Sequence, residues 1–275
     1  MIGLGRMGGP MADHVIAAGH SVRVHDVHEP AIDQRVRAGG VRAASPADAA
    51  RDADLVGVVV LDDAQARAVL LGPEGVFATL PPGAVVAIHT TIAIETVREL
   101  AETGARFGAV VIDAGISGGE AGSLAGTLVT MVGGTADAFE RVRPVLESFS
   151  KEVVHAGPLG AGMALKLARN AAGYVMMSAT HEAMELAHRS GVDVALLRHV
   201  IEATGVFAQA LAPFDMGGPE GLPADAPSEQ RTALEHTRRL ADKDLDQALA
   251  LARHLDIDVP AIEATRGAFH RAVRL

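Results

Sequence analysis

The sequence predicts an α/β domain over residues 1–158 and an all-α domain over residues 159–275, joined by a long interdomain helix. Three observations support this fold class. Short β-branched runs alternate with helical stretches as far as about residue 157. A glycine-rich turn opens the chain. From residue 161 onwards the pattern is helical, which indicates a second domain of a different class.

Six apolar runs of the first domain predict β-strands because they are rich in β-branched residues. The predicted strands are residues 21–26, 53–61, 83–89, 108–114, 127–133 and 151–157. The predicted helices between them include residues 8–18, 63–71, 93–106 and 135–148. Strands that alternate with helices imply a parallel sheet that is covered on both faces.

Residues 161–190 predict one long helix, because the stretch contains little Gly and no Pro. The remaining sequence is also helical, except for the Gly- and Pro-rich residues 215–230. That segment is either a mobile loop or a connection between two helices. The change of pattern places the domain boundary near residue 158.

Composition excludes several classes of protein. The net charge of −10 argues against binding to nucleic acid or to an anionic membrane, since both favour basic surfaces. Cys is absent, which excludes disulfides, thiolate nucleophiles and Cys-based metal sites. The longest apolar runs are too short to span a bilayer, and the N-terminus lacks the layout of a signal peptide. We therefore expect a cytoplasmic protein.

Histidine is abundant, with 12 residues, but its spacing does not indicate a metal site. His25 and His28 are near each other in sequence, yet one lies in a predicted strand and the other in the loop after it. No H-E-x-x-H or similar helical spacing occurs. We expect no bound metal.

The opening stretch "MIGLGRMGG" contains G-x-G-x-x-G at Gly3, Gly5 and Gly8 and runs into a predicted helix. Such glycines allow a tight turn and close approach to a pyrophosphate, which the helix N-terminus attracts. The next strand ends at Asp26, whose carboxylate would bind a ribose 2′-hydroxyl and repel a 2′-phosphate. The pattern predicts a Rossmann-type domain that binds NAD rather than NADP. The alternative is an ordinary glycine turn beside an exposed Asp26. The loop residues predicted to contact the cofactor are Gly3, Leu4, Gly5, Arg6, Met7 and Gly8.

The glycine loop also raises a question about the strand that should precede it. Such a strand normally occupies the centre of the sheet. Only Met1 and Ile2 stand before Gly3. Either the start codon is assigned too late or the first strand is severely shortened.

Only three of the 24 basic residues are Lys, and one of them is Lys166. Lys166 and Asn170 are four residues apart on the predicted long helix, so they share a face. A Lys whose pKa is lowered by burial or nearby charge can take the proton of an alcohol that is being oxidised. Arg cannot, because its guanidinium stays protonated. The alternative is a surface Lys beside an ordinary polar Asn.

Four stretches occur in the order seen in the β-hydroxyacid dehydrogenase family, which the chain resembles over almost its whole length. They are the glycine loop, "DAGISGGEAGSLAGTLVTMVGG" (113–134), "GPLGAGMALKLARN" (157–170) and "LADKDLDQALALA" (240–252). The family includes 3-hydroxyisobutyrate dehydrogenases and tartronate semialdehyde reductases and is related to 6-phosphogluconate dehydrogenase. The resemblance implies an NAD-dependent oxidoreductase that acts on a small 3-hydroxy acid, such as 3-hydroxyisobutyrate.

The resemblance also implies roles for individual residues. In G-x-G-x-x-x-K-x-x-x-N the Lys is the family's catalytic residue, so Lys166 would be general base in oxidation and general acid in reduction. Asn170 would position Lys166 or the substrate hydroxyl. The substrate carboxylate would bind Ser117, Gly118 and Gly119, a segment whose hydroxyl and backbone N–H groups suit an anion. Further cofactor contacts would come from Leu61, Thr91 and Lys243.

The sequence departs from the family pattern at three positions. Gly115 stands where Pro is usual, Asp62 where Pro often follows Leu, and Arg169 where many members have Asn. Arg169 could bind an extra anionic group of the substrate or could point to solvent.

Three other functions are weighed against this one. Imine reductases share the architecture but commonly carry Asp or Tyr at the position of Lys166. Decarboxylases of the 6-phosphogluconate type carry a much larger helical domain. A non-catalytic dinucleotide-binding protein would be expected to lack the Lys. The apolar faces of the helical domain predict a homodimer or homotetramer.

Overall fold

The computed structural model describes residues 1–215 and 222–272. The chain divides into two compact units, Met1–Asn170 and Ala171–Leu275, and the division lies within one long helix. The predicted boundary at residue 158 lies just before this helix begins. The strands are β1 (Arg23–Val24), β2 (Val41–Arg42), β3 (Leu55–Val58), β4 (Val85–Ile88), β5 (Val110–Ser117), β6 (Leu128–Gly133) and β7 (Ser150–Gly157).

Helices connect the strands of the first unit and make up the regular structure of the second. Those that lie in the first unit are α1 (Gly8–Ala17), α2 (Glu29–Arg37), α3 (Pro46–Ala50), α4 (Asp63–Leu71), α5 (Ile94–Ala105), α6 (Gly119–Ala125) and α7 (Ala136–Leu146). The long helix is α8 (Ala161–Arg189), and it is followed by α9 (Val194–Thr204), α10 (Val206–Gln209), α11 (Ala212–Asp215), α12 (Ser228–Leu255) and α13 (Pro260–Ala272). The predicted α/β domain with an all-α region after it is confirmed.

Ile2 takes the place of a central strand. It forms parallel bridges with His25 on one side and Val58 on the other. Its N–H donates to the Gly57 carbonyl at 2.9 Å, and its own carbonyl accepts from Val59 at 2.8 Å. The pair β1–β2 and the five strands β3 to β7 are thereby joined through Ile2. The glycine loop therefore leaves the middle of the sheet, where a Rossmann-type domain places its cofactor.

The sheet is not parallel throughout, so the prediction of a parallel sheet is wrong at one pair. Strands β3, β4 and β5 run parallel, and so do β6 and β7. Strands β5 and β6 are antiparallel, with Asp113 opposite Gly133. The physical reason is the short connection through α6, because a parallel crossover needs a dozen or more residues.

Both faces of the sheet are covered, as the apolar runs predict. Val85 and Ala87 of β4 belong to one buried cluster, together with Ile112. Val86 and Ile88 belong to the other cluster on the opposite face. A strand buried on both faces reads as a continuous apolar run rather than an alternating one, which is why β4 could be recognised in the sequence.

All the regular secondary structure in the described residues of the second unit is helical. The predicted long helix over 161–190 is observed as α8, and Leu234, Ala252 and Val259 are among the buried apolar residues after it. Part of the predicted connection at 215–230 lies outside the described residues; its described end at 222–227 is irregular, and α12 follows it. Over residues 1–215 and 222–272, no helix has the length and apolar character needed to cross a membrane.

Candidate active site

Two positions of the glycine loop, Gly3 and Gly8, fit only glycine. Gly3 has a φ of +85°, and a Cβ there would overlap the Val59 carbonyl. A Cβ at Gly8, where α1 begins, would overlap the carbonyl of Gly3. The loop therefore packs tightly against the end of β3, and α1 begins directly after it, an arrangement that a pyrophosphate site requires.

A cavity of about 670 Å³ opens over this loop and is lined by the loop itself, by the segments that follow β1 and β3, and by residues of α4. It brings together most of the predicted cofactor residues. The predicted residues that line it are Gly3, Gly5, Arg6, Met7, Gly8, Asp26 and Leu61. Leu4 is placed differently: its side chain is buried in the core and only its backbone serves the loop. The side chain of Leu61 is 78% exposed, so it is open to an apolar ligand surface.

Asp26 is held in a fixed orientation at the end of the β1 segment. One carboxylate oxygen accepts the Leu4 N–H at 2.6 Å, and the other accepts the His28 N–H at 2.8 Å. A carboxylate has about four acceptor positions, so two backbone bonds leave others for a hydroxyl group. The carboxylate also places a negative charge in the cavity.

Two of the other predicted cofactor residues lie elsewhere. Thr91 is exposed and is not among the residues that line the cavity; its buried neighbour Thr90 accepts the Val60 N–H at 2.9 Å and so supports the cavity wall. Lys243 belongs to the second unit, where it pairs with Asp244 at 3.1 Å and is 63% exposed.

Asp62, one of the departures from the family pattern, has a structural explanation. It is the N-cap of α4, and its side chain accepts the Gln65 N–H at 2.8 Å. Such a cap satisfies one of the free N–H groups at a helix start. The neighbouring Asp63 accepts the Ala93 N–H at 3.1 Å, and this bond joins α4 to the segment before α5.

Lys166 lies in the first unit, on α8, and its side chain is packed against β5. The residue is only 9% exposed, and Nζ donates to the carbonyl of Ile116. A Cβ on Gly115 would come within 2.9 Å of the Lys166 Cδ, so the lysine stem lies directly on this glycine. Burial, and secondarily the guanidinium of Arg169, lower the pKa of Lys166 below its ordinary value. A buried lysine of this kind is suited to proton transfer.

The predicted carboxylate-binding segment follows directly after the Ile116 carbonyl. Ser117 is the last residue of β5 and is half-buried. Gly118 and Gly119 have φ values of +133° and +62°, which L side chains rarely adopt. The structure thus brings the Lys166 amine and this segment to the same end of β5.

Asn170 is half-buried one turn after Lys166, and its Oδ1 accepts from the Arg169 guanidinium at 3.4 Å. The arrangement shows that Arg169 is directed towards Asn170. The structure does not give a bond between Asn170 and Lys166.

Sequence reasoning missed Asp113, which is completely buried on β5. Its carboxylate accepts the Gly160 N–H at 2.6 Å and the Met163 N–H at 2.5 Å. Burial raises the pKa of Asp113, while these backbone bonds act in the opposite direction. The available signal was that an acidic residue opens the "DAGISGG" stretch in an otherwise apolar strand.

Sequence reasoning also missed Ser123 of α6. It is buried and donates to the Met7 carbonyl at 2.7 Å. Helix α6 is thereby tied to the glycine loop. In the part of the chain that the structure describes, no group of three or more His, Cys, Asp or Glu residues could hold a metal ion.

Comparison with known proteins places this geometry in a family. Residues 1–157 match the model of the NAD binding domain of 6-phosphogluconate dehydrogenase. Residues 160–275 match the model described as "NAD-binding of NADP-dependent 3-hydroxyisobutyrate dehydrogenase". The chain belongs to the β-hydroxyacid dehydrogenase family. This dehydrogenase is therefore an NAD(P)-dependent enzyme, and the predicted family, enzyme class and NAD cofactor are confirmed.

Individual relatives agree with this assignment. An uncharacterised oxidoreductase of Mycobacterium tuberculosis is 38% identical, over 94% of this chain and 87% of the relative. The 3-hydroxyisobutyrate dehydrogenase of Pseudomonas aeruginosa is 35% identical, over 98% of this chain and 89% of the relative. A crystal structure of an oxidoreductase from Mycobacterium avium has a TM-score of 0.82 at 36% identity, covering 99% of this chain and 96% of that one.

Proposed function

We propose that this dehydrogenase moves a hydride between a small 3-hydroxy acid, similar to 3-hydroxyisobutyrate, and NAD. The observation that carries the proposal is the environment of Lys166. Its side chain is 9% exposed, its pKa is lowered, and Nζ donates to the carbonyl that directly precedes Ser117. The group that we propose as proton acceptor therefore lies beside the segment that we propose for the carboxylate, which supports a hydroxy acid as substrate.

The hydrogen bond from Lys166 to the Ile116 carbonyl is compatible with a role as a base. A neutral amine can donate one hydrogen to the Ile116 carbonyl and keep its lone pair for a substrate hydroxyl. Lys166 takes the hydroxyl proton while the carbinol carbon loses its hydride and the carbon–oxygen double bond forms. In reduction, Lys166 returns the proton to the oxygen. NAD supplies the hydride acceptor when bound.

The residues around the base orient the substrate. We assign its carboxylate to the Ser117 hydroxyl and to the N–H groups of Gly118 and Gly119, whose backbone is open at the end of β5. Asn170 would hold the substrate hydroxyl or the lysine from the next turn of α8. Each group fixes part of the substrate near Lys166, which lowers the entropy cost of the reaction.

The cofactor would lie over the glycine loop, with its adenosine ribose on Asp26. The negative charge of Asp26 favours NAD, because a 2′-phosphate would meet a carboxylate there. Leu61 offers an exposed apolar surface to the cofactor. Thr91 and Lys243 are assigned to the cofactor through the family resemblance.

Two of the alternatives weighed from the sequence are less well supported. An imine reductase of this fold would commonly carry Asp or Tyr at position 166. A non-catalytic protein has no need for a buried lysine whose pKa is lowered. The net charge of −10 supports a protein that binds no nucleic acid, and we propose that it acts in the cytoplasm.

Activity assays of five candidate substrates, each with two cofactors, test the reaction class. The substrates are 3-hydroxyisobutyrate, glycerate, 3-hydroxypropionate, 4-hydroxybutyrate and 6-phosphogluconate, each with NAD and with NADP. We expect turnover of a small 3-hydroxy acid, with a higher kcat/KM for NAD than for NADP. Lys166→Ala should lower kcat by roughly 10²- to 10⁴-fold, which is the usual contribution of a general acid–base residue.

The matched control is Lys151→Ala, because Lys151 is an exposed lysine on β7. It should retain wild-type kcat. Full activity in Lys166→Ala would contradict the role of the lysine. A folded protein that binds NAD but oxidises none of the five acids would contradict the substrate class.

A further inference from the structure

We propose that Asp113 is the positioning residue for Lys166, because its buried carboxylate fixes the start of α8 against β5. The inference rests on the proposed function in one respect, namely that Lys166 performs proton transfer. Asp113 itself would touch neither substrate nor cofactor. Its action would pass through the helix backbone to the lysine one turn further on.

Asp113 forms hydrogen bonds to the beginning of α8, although the two are far apart in sequence. Its two carboxylate oxygens accept from Gly160 and Met163, which are 47 and 50 residues away in sequence. Each of these N–H groups belongs to the helix start, where no intrahelical acceptor exists. An anion at this end also interacts favourably with the dipole of α8, which is 29 residues long.

Two glycines let the helix approach the sheet closely enough for these bonds. A Cβ on Gly162 would overlap the Met131 carbonyl of β6 and would stand 2.7 Å from the Gly133 nitrogen. A Cβ on Gly133 would in turn overlap the Asp113 carboxylate. The first turn of α8 therefore packs directly against the backbone of β6, beside the Asp113 carboxylate.

The packing of the first turn of α8 against the sheet fixes the position of the Lys166 backbone. Met163 precedes Lys166 by three residues, so both lie on one side of the same turn. The lysine stem then lies over Gly115, two residues after Asp113 on the same face of β5. One strand thus provides the helix anchor, the surface under the lysine stem and, at Ile116, the acceptor of its amine.

The first test uses two substitutions that loosen the docking in different ways. Asp113→Asn removes the charge and one acceptor, and Gly162→Ala leaves the carboxylate in place but pushes the helix from β6. We expect both to lower kcat by at least about tenfold, because small misplacements of a reacting group are costly. We also expect the pH of half-maximal kcat to rise, since a displaced Lys166 gains contact with water.

The pH profile separates positioning from other causes. Besides Lys166 itself, the charged groups are Asp113 on β5, Glu120 on α6 and, within residues 161–170 of α8, Arg169, and β6 carries none. Loss of the Asp113 charge alone would lower the pKa of Lys166 and move the profile to lower pH. A reduced amount of folded enzyme would not move the profile at all. A rise in both variants therefore indicates a displaced lysine.

The matched control is Gly104→Ala, which puts a methyl group 2.8 Å from the Phe77 ring and crowds a buried site on α5. It should leave the pH profile unchanged. A profile that is unmoved or lowered in Asp113→Asn and Gly162→Ala, with kcat within twofold of wild type, would overturn the proposal.

A second test needs no substitution and no substrate. Hydrogen exchange in the wild-type protein should show the Gly160 and Met163 amides protected at least 100-fold relative to exposed loop amides. Rapid exchange of both in folded protein would overturn the anchor, whatever reaction the enzyme catalyses. Protection at both, combined with full activity in Lys166→Ala, would instead retain the anchor and reject the proposed function.

Discussion

At the scale of single residues, His89 couples the stability of the sheet to pH. It follows β4, is 3% exposed, and its Nδ1 lies 2.8 Å from the Ala114 carbonyl. Burial lowers the pKa of His89 from 6.5 to about 4. The imidazole is therefore neutral in the folded protein at neutral pH, and Nδ1–H donates to the carbonyl.

As the pH is lowered, the unfolded chain binds a proton at His89 at a higher pH than the folded protein does. The contribution of neutral His89 to the free energy of unfolding is therefore fully present above pH 6.5 and is lost as the pH falls towards about 4. The free energy of unfolding decreases by about 3 kcal/mol in total over this range. Denaturant titrations between pH 4 and 7.5 would measure the free energy of unfolding. His89→Asn can still donate to Ala114 but cannot titrate, so its curve should be flatter over this range. Equal pH dependence in the two proteins would contradict the assignment.

At the scale of elements, a buried carboxylate in each of the two units accepts hydrogen bonds from the N–H groups at the start of a helix. Asp113 serves α8 in the first unit. In the second, Glu182 is 6% exposed and accepts the N–H groups of Ala261 and Ile262 at 2.7 and 2.9 Å. These amides belong to the first turn of α13, which has no other intrahelical acceptors for them.

Replacing Glu182 with Gln should destabilise α13. One amide oxygen can accept one of the two N–H groups, and the NH₂ group opposes the other, so we expect a loss of about 1–2 kcal/mol. Chemical denaturation monitored by circular dichroism measures this change. Glu185→Gln is the matched control, because it changes the next carboxylate on the same helix, for which the described residues give no bond. An equal loss in both variants would contradict a specific role for Glu182.

The sequence allowed some elements to be predicted more accurately than others. The long helix predicted at 161–190 is observed as Ala161–Arg189, since no Pro interrupts it. The strand predicted at 21–26 is observed only as Arg23–Val24, because the partner beside it is as short as Ile2. The antiparallel direction of β6 depends on the path of the chain through α6, and local residue patterns contain no information on direction.

The same limit applies to the candidate site. Lys166 and Ser117 could be proposed as site residues because each stands in a stretch that resembles a motif of the family and whose residue types suit the chemistry. The proposed role of Asp113 could not be predicted, because it depends on contacts with residues 47 and 50 positions away that local patterns do not show. The close approach of Gly162 to Met131 is a similar case, since a glycine in sequence does not reveal which backbone it allows to come near.

At the scale of the whole molecule, the second unit exposes large apolar side chains. On α8, Tyr174 and Met177 are 65% and 69% exposed, and their spacing of three places them on one face. On α9, Leu196 is 55% exposed. A cavity of about 500 Å³ in the same unit is lined by residues of α8 and α9 and by Phe207. Exposed apolar side chains that lie together on a surface are typical of a protein interface.

We expect a second copy of the chain to cover this surface, giving a homodimer or homotetramer. Sedimentation velocity should then give a mass of at least twice 28.3 kDa. Met177→Glu would bury a charge in the interface and should shift the population towards the monomer. Leu124→Glu is the matched control, because Leu124 is 62% exposed but lies on α6 in the first unit. A monomeric wild-type protein, or equal dissociation by both substitutions, would show that the apolar face of α8 does not hold copies together.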